Sequence, residues 1–148
     1  MLNDTQIETL RGIVDSNEEL RTLVRGNINN PADDVAAAAL ATSLMPKQIV
    51  EGSLYTELGI IAAFSNPADA EVVLQTLEAA ALTNPLLARM LRWLAPGMPG
   101  LDFGNPALRA ALNGYQAAGV LNSTQNNVLL ALGEQVLTVN PSDIPKVR

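Results

Sequence analysis

Asn30-Pro31-Ala32-Asp33 and Asn66-Pro67-Ala68-Asp69 spell the same four residues, NPAD, and three more Asn-Pro pairs stand at Asn84-Pro85, Asn105-Pro106 and Asn140-Pro141. Both members of such a pair suit the start of a helix. The asparagine side-chain oxygen accepts from the otherwise unbonded amides of the first turn. Proline at the first helical position lacks an N–H that would have no partner there, and its fixed φ is already helical. It also drives the preceding residue out of the α region, as a cap requires. Asp33 and Asp69 place negative charge at the third helical position, where the helix dipole favours it. Four of the five pairs precede an apolar helical run, at 35–44, 72–81, 86–94 and 108–118; Asn140-Pro141 is the exception, because only 142–148 follow. The two NPAD copies are spaced within the range of solenoid repeats. The text after them does not align residue for residue, so the pairs read as punctuation of a helical chain.

The remaining helices follow from caps and periodicity. Asn3 with Gln6 forms a reciprocal capping pair, followed by Ile7, Leu10 and Val14 on one face with Ile13 beside them. Ser16 with Glu19 signals a second helix, faced by Leu20, Leu23 and Val24 and stopped at Gly26. Asn27 to Asn30 reads as a loop. Residues 47–52 look extended, a single strand or a crossover. A helix over 53–64 would turn Leu54, Leu58, Ile61 and Ala62 inward, and 95–100 is too rich in Pro and Gly to be regular. The last helix starts near Asn122 with Gln125 as its capping partner and turns Val128, Leu129, Leu132 and Val136 inward. The expected fold is all-α: a compact bundle of seven or eight short helices with at most one short strand at 47–52. One helical domain over 1–139, with a possible subdivision near 46–53, precedes an irregular, extended tail at 140–148.

Composition narrows the chemistry. With no cysteine and no histidine, the chain lacks a disulfide framework, a thiol nucleophile, the commonest general base and the commonest transition-metal ligand. The carboxylates pair as Glu18/Glu19, Asp33/Asp34 and Asp69/Glu71, each in a first helical turn that the dipole explains without catalysis. No run carries the alternating acids of a calcium loop. Pro46 separates Ser43 from Lys47, no serine sits in a nucleophile elbow, and Gly97, Gly100 and Gly104 lack the Lys-Ser/Thr ending of a phosphate loop. No enzymatic activity, cofactor, metal or small-molecule substrate is expected.

Charged residues make up 16% of the chain, well below the roughly 25% of a typical soluble domain. That leaves a surface of small apolar side chains suited to burial against neighbours. The net charge of -6 argues against a nucleic-acid partner, which demands basic density. Spanning a membrane takes an apolar run of about 18 residues, and the nearest candidate, 35–45, holds eleven uncharged residues before Pro46. The polar N-terminus has no signal core, so a soluble product made in the cytoplasm is expected.

Two stretches are candidates for partner contact. The helix over 86–94 is apolar around much of its circumference; Leu87, Leu91 and Leu94 are assigned to the core, and Arg89, Met90, Arg92 and Trp93 to a candidate interface, with Trp93 open between interface and core. The second is the tail, with Pro141, Ile144, Pro145 and Val147. A polar, Pro-containing terminus frays unless something holds it. Held by a partner, it would be dispensable for folding, so a chain ending at Thr138 would lose assembly and keep its helices.

From Val72 to Gln135 the text runs LQTLEAAALTNPLLARMLRWL and then GLDFGNPALRAALNGYQAAGVLNSTQNNVLLALGEQ. This resembles a group of small helical proteins encoded among the late structural genes of tailed bacteriophages. The matching positions are Gly100-Leu101-Asp102-Phe103-Gly104, Arg109 and Ala118-Gly119-Val120; the segment NSTQNN departs from the group's more acidic, alanine-rich pattern. The resemblance implies a non-enzymatic virion component: a multicopy adaptor or connector of tail, fibre attachment or neck, partnered by other virion proteins and by itself. The alternative is a cytoplasmic assembly chaperone or regulatory partner absent from the mature particle. Asp102, between two glycines, is also expected to bond nearby backbone amides ahead of the Asn105 cap.

Overall fold

Helix α1 (Asp4–Ser16) begins as its capping residues dictate: Asn3 Oδ1 accepts from Gln6 N at 2.9 Å, and Gln6 Oε1 accepts from Asn3 N at 2.9 Å. In α2 (Glu18–Arg25) the cap is Asn17, one residue beyond the expected Ser16, which ends α1 with its hydroxyl on Ile13 O. Gly26, at φ 68, stops α2. The computed structural model describes residues 1–148. Its further elements are α3 (Asp34–Leu44), β1 (Gln48–Ile49), β2 (Leu54–Tyr55), α4 (Glu57–Ala63), α5 (Pro67–Ala81), α6 (Pro85–Leu91), β3 (Leu101–Asp102), α7 (Pro106–Ala117), α8 (Ser123–Ala131) and β4 (Glu134–Gln135). Arg92–Leu94 and Pro141–Val147 are 3-10 helices. The class is all-α. Its strands number four rather than one, but each is two residues long, paired β1 with β4 and β2 antiparallel to β3.

Three Asn-Pro pairs cap as expected. Asn66, Asn84 and Asn105 accept from Ala68 N (3.0 Å), Leu87 N (3.1 Å) and Ala107 N (2.9 Å) at the heads of α5, α6 and α7. The other two pairs exchange roles. Asn30 does not cap α3; its amide donates to Asn27 Oδ1 at 2.7 Å within the loop. Asp33 caps instead, accepting from Val35 N and Ala36 N at 3.1 and 3.0 Å, while its own amide donates to Leu23 O. The bond from the Asp33 amide to Leu23 O holds that residue outside the helix and leaves its side chain to cap. Asn140, expected to lead into no helix, precedes the 3-10 helix with Pro141 at its first position.

The chain divides into two compact units, Met1–Gln48 with Val136–Arg148, and Ile49–Gln135; one boundary falls at the possible subdivision near 46–53, while the expected extended tail at 140–148 belongs to unit 1. Unit 1 packs Leu10, Val14, Leu20, Val24, Ala37 and Ala41 against Val139, Ile144 and Val147. The small side chains of α3 leave room for the returning segment. That segment is bonded to all three helices. Val139 N donates to Thr42 Oγ1 (2.9 Å), Arg148 Nε to Val24 O (2.8 Å) and Arg11 Nη2 to Lys146 O (3.1 Å); Arg148 also pairs with Asp34. The expected extended tail is therefore a helix in a core, because its apolar residues complete a surface that α1–α3 leave open.

Unit 2 has its own core around Phe103, Ile60, Leu77, Leu87, Leu112 and Leu129. The Asn122/Gln125 capping box starts α8 as expected, but Val136 lies beyond it, exposed. The helix expected over 53–64 starts later, at the Thr56 cap. Leu54 is in a strand instead, and Leu58 is 78% exposed while Ile60 is buried. The face that meets the core is Ile60 with Ile61, and Ala62, expected inward, is exposed.

Ending the chain at Thr138 removes Val139, Ile144 and Val147 from unit 1. At roughly 1.5–3 kcal/mol per buried apolar side chain, the loss matches the whole stability of an ordinary domain, about 5–15 kcal/mol. We expect circular dichroism and limited proteolysis to show unit 1 unfolded, with its helical signal lost; a retained signal would contradict this packing. Asp143 supplies a pH dependence. Burial alone raises its carboxyl pKa, but hydrogen bonds from Lys146 Nζ (2.8 Å) and Asn140 N (3.2 Å), with the Lys146 charge, outweigh that and hold it below the ordinary aspartate value. A depressed folded pKa gives stability that is present above the unfolded value, about 3.9, and lost as pH falls through the folded one. Thermal melts from neutral pH to below pH 4 should show that loss, diminished in Asp143→Asn.

Candidate functional site

Three segments of unit 2 meet at Gly100-Leu101-Asp102-Phe103-Gly104. Asp102 Oδ1 accepts from Gly104 N (2.9 Å) and Ser53 N (3.1 Å), and Oδ2 accepts from Gly52 N (3.0 Å). The bond to Gly104 is the local turn that the sequence suggests; the two bonds to residues fifty positions upstream are not legible there. Phe103 N donates to Ser53 O (3.1 Å) and Val50 N to Gly133 O (2.9 Å), so the backbones of 50–53, 102–104 and 133 lie against one another. Glycine is required at this contact. A Cβ on Gly104 would fall on the Val50 carbonyl, and one on Gly133 on the Phe103 carbonyl.

Arg109 ties the same region to the next two elements. Its guanidinium, largely buried, donates to Phe103 O (3.2 Å), Leu130 O (2.9 Å) and Glu134 Oε1 (2.8 Å). Unlike Arg89 and Arg92, it is tied into the interior.

On this support stands the face formed by α6 and the turn after it. Leu87 is buried, and Leu91 and Leu94 pack partly buried against the core, as expected. Trp93 resolves outward at 48% exposed. Met90 is half-buried, and together with Leu54, Trp93, Pro99, Asp102 and Leu108 it lines a cavity of about 320 Å³. Leu54 reaches the cavity through the β2–β3 pair and Leu108 through the Asn105 cap, so the Asp102 junction sets its walls. Arg89 and Arg92 are exposed beside it, and neither forms an ion pair. Leu54, Pro99 and Leu108 were missed in the sequence: Leu54 was assigned inward on a helix, and nothing local marks a leucine as lining a cavity.

The other candidates separate. Ile144 (0% exposed) and Val147 (2%) are interior residues of unit 1 and leave the list of partner contacts, while Pro141 and Pro145 are exposed. The first-turn acids of α2 and α3 converge: Glu18, Glu19, Asp33 and Asp34 line an open groove of about 1130 Å³ with Leu23 and Val35 among its apolar walls. No group of three or more acidic side chains is arranged to hold a metal ion, and no helix is long and apolar enough to cross a membrane. No protein-family model matches the chain, and no curated protein or solved structure shows significant similarity to it.

The Asp102 junction yields the sharpest mutational expectation. Asp102→Ala leaves the part-buried amides of Ser53 and Gly104 without their acceptor, Gly52 being open to water, and at about 1–3 kcal/mol per unsatisfied buried group it should cost unit 2 roughly 2–6 kcal/mol in denaturant unfolding. Asp102→Asn, which keeps one acceptor oxygen, should cost less. Equal stability of wild type and Asp102→Ala would show that water replaces the carboxylate.

Proposed function

We propose that the chain is a non-enzymatic structural subunit of a tailed-bacteriophage particle, a multicopy adaptor or connector, and that it engages other virion proteins through the Trp93 face of unit 2. The resemblance at Gly100–Gly104, Arg109 and Ala118–Val120 supports the setting. The observation that carries the contact is the placement of Trp93. A large aromatic side chain is left 48% exposed next to an apolar cavity, just after a helix that buries Leu87 in the core. Exposed tryptophan with arginine neighbours is the composition of interface hot spots, where a few residues supply most of the binding energy.

The test is quantitative mass spectrometry on density-gradient-purified particles of the phage that encodes the chain. A fixed copy number scaled to portal or tail subunits is expected. Absence from particles, with the protein abundant in the infected lysate, would overturn the reading in favour of a transient assembly chaperone. Trp93→Ala should leave the melting temperature of the isolated chain nearly unchanged, because the side chain is half exposed, while lowering incorporation into particles at least tenfold.

A further inference from the structure

Charge on unit 2 is segregated. Its basic residues are Arg89, Arg92 and Arg109, against seven carboxylates. Arg109 is consumed in the interior by Phe103 O, Leu130 O and Glu134. All the exposed positive charge of an acidic unit therefore lies at Arg89 and Arg92, flanking the exposed Trp93. A surface with an aromatic anchor and two unpaired guanidinium groups takes an occupant with apolar contact area and clustered carboxylates.

Unit 1 presents that chemistry. Its groove joins Glu18 and Glu19 from the start of α2 to the start of α3, where Asp33 is the cap and Asp34 pairs with Arg148 in the same lining, so that Glu18 and Glu19 carry its free negative charge beside Leu23 and Val35. Glu18 and Glu19 are exposed and form no ion pair, and Val35 is 69% exposed. We infer that the occupant of the Trp93 face is a second copy of this chain, seated by its acidic groove: Trp93 meets Val35 and Leu23, and Arg89 and Arg92 meet Glu18 and Glu19. The contact is heterologous, joining two different surfaces, and such contacts close into rings or run on as filaments. This rests on the reading of the chain as a multicopy subunit and names the surfaces that make it so.

Two charge-reversed full-length chains test it. One carries Arg89→Glu and Arg92→Glu; the other carries Glu18→Lys and Glu19→Lys. All four positions are exposed, and circular dichroism is the check that both variants fold. Analytical ultracentrifugation at low salt should show wild type above monomer mass, dissociating as salt is raised, and each variant alone as a monomer. Mixed in equal amounts, each variant offers the other opposite charge at both surfaces, and the mixture should assemble above monomer mass again. Wild type that stays monomeric at millimolar concentration, a variant that still assembles alone, or a mixture that stays monomeric would each overturn the inference. The particle measurement is separate: a monomeric chain found in virions sinks this contact alone, and an assembling chain absent from virions sinks the virion reading alone.

Discussion

Asp102 accepts three backbone hydrogen bonds, and two of them come from a segment fifty residues earlier. Much of unit 2 depends on that carboxylate. The amides at 53 and 104 lie partly out of water with no helix or long strand to satisfy them, and backbone polar groups removed from water must find partners. A short side chain with two acceptor oxygens serves both, and the exposed amide at 52 as well. The same junction needs glycine at 104 and 133, where the carbonyls of Val50 and Phe103 occupy the space a Cβ would take. Phe103, held by its amide on Ser53 O, then enters the core and meets Tyr55 edge to face at 6.1 Å. The walls of the Trp93 cavity are placed by this junction rather than by α6 alone.

Local signals in the sequence were dependable where one turn of chain contains the whole interaction. Asn3 with Gln6, Asn122 with Gln125, and Asn66, Asn84 and Asn105 before proline each bond an amide two or three residues away. Where two caps compete, composition alone could not rank them. At 30–33 the carboxylate of Asp33 prevailed over Asn30 because the Asp33 amide is fixed on Leu23 O, a bond that depends on tertiary packing.

What the sequence hid is long-range. Nothing near Asn140 indicates that Ile144 and Val147 belong with Leu10 and Ala37, because apolar residues in a short Pro-bounded segment suit an interface as well as a core. The candidate site was half legible for the same reason. Trp93, Met90, Arg89 and Arg92 share one helix and could be named together. Leu54 and Leu108 join them only through the β2–β3 pair and the fold of unit 2, and the acidic groove appears only when the first turns of α2 and α3 are brought side by side.

The insertion of residues 49–135 between the two parts of unit 1 sets an order of events during synthesis. Chains emerge N-terminus first and domains fold as units. The helices α1–α3 appear first but lack the 3-10 helix that closes their core, so they wait as an exposed apolar surface while all of unit 2 is made. Unit 2 holds every residue of its own core once Gln135 is clear, and it can fold first although it is encoded later. The earliest part of the chain is thus the last to be finished. A chain cut short before Ile144 leaves that surface open, in the form that proteases and chaperones recognise.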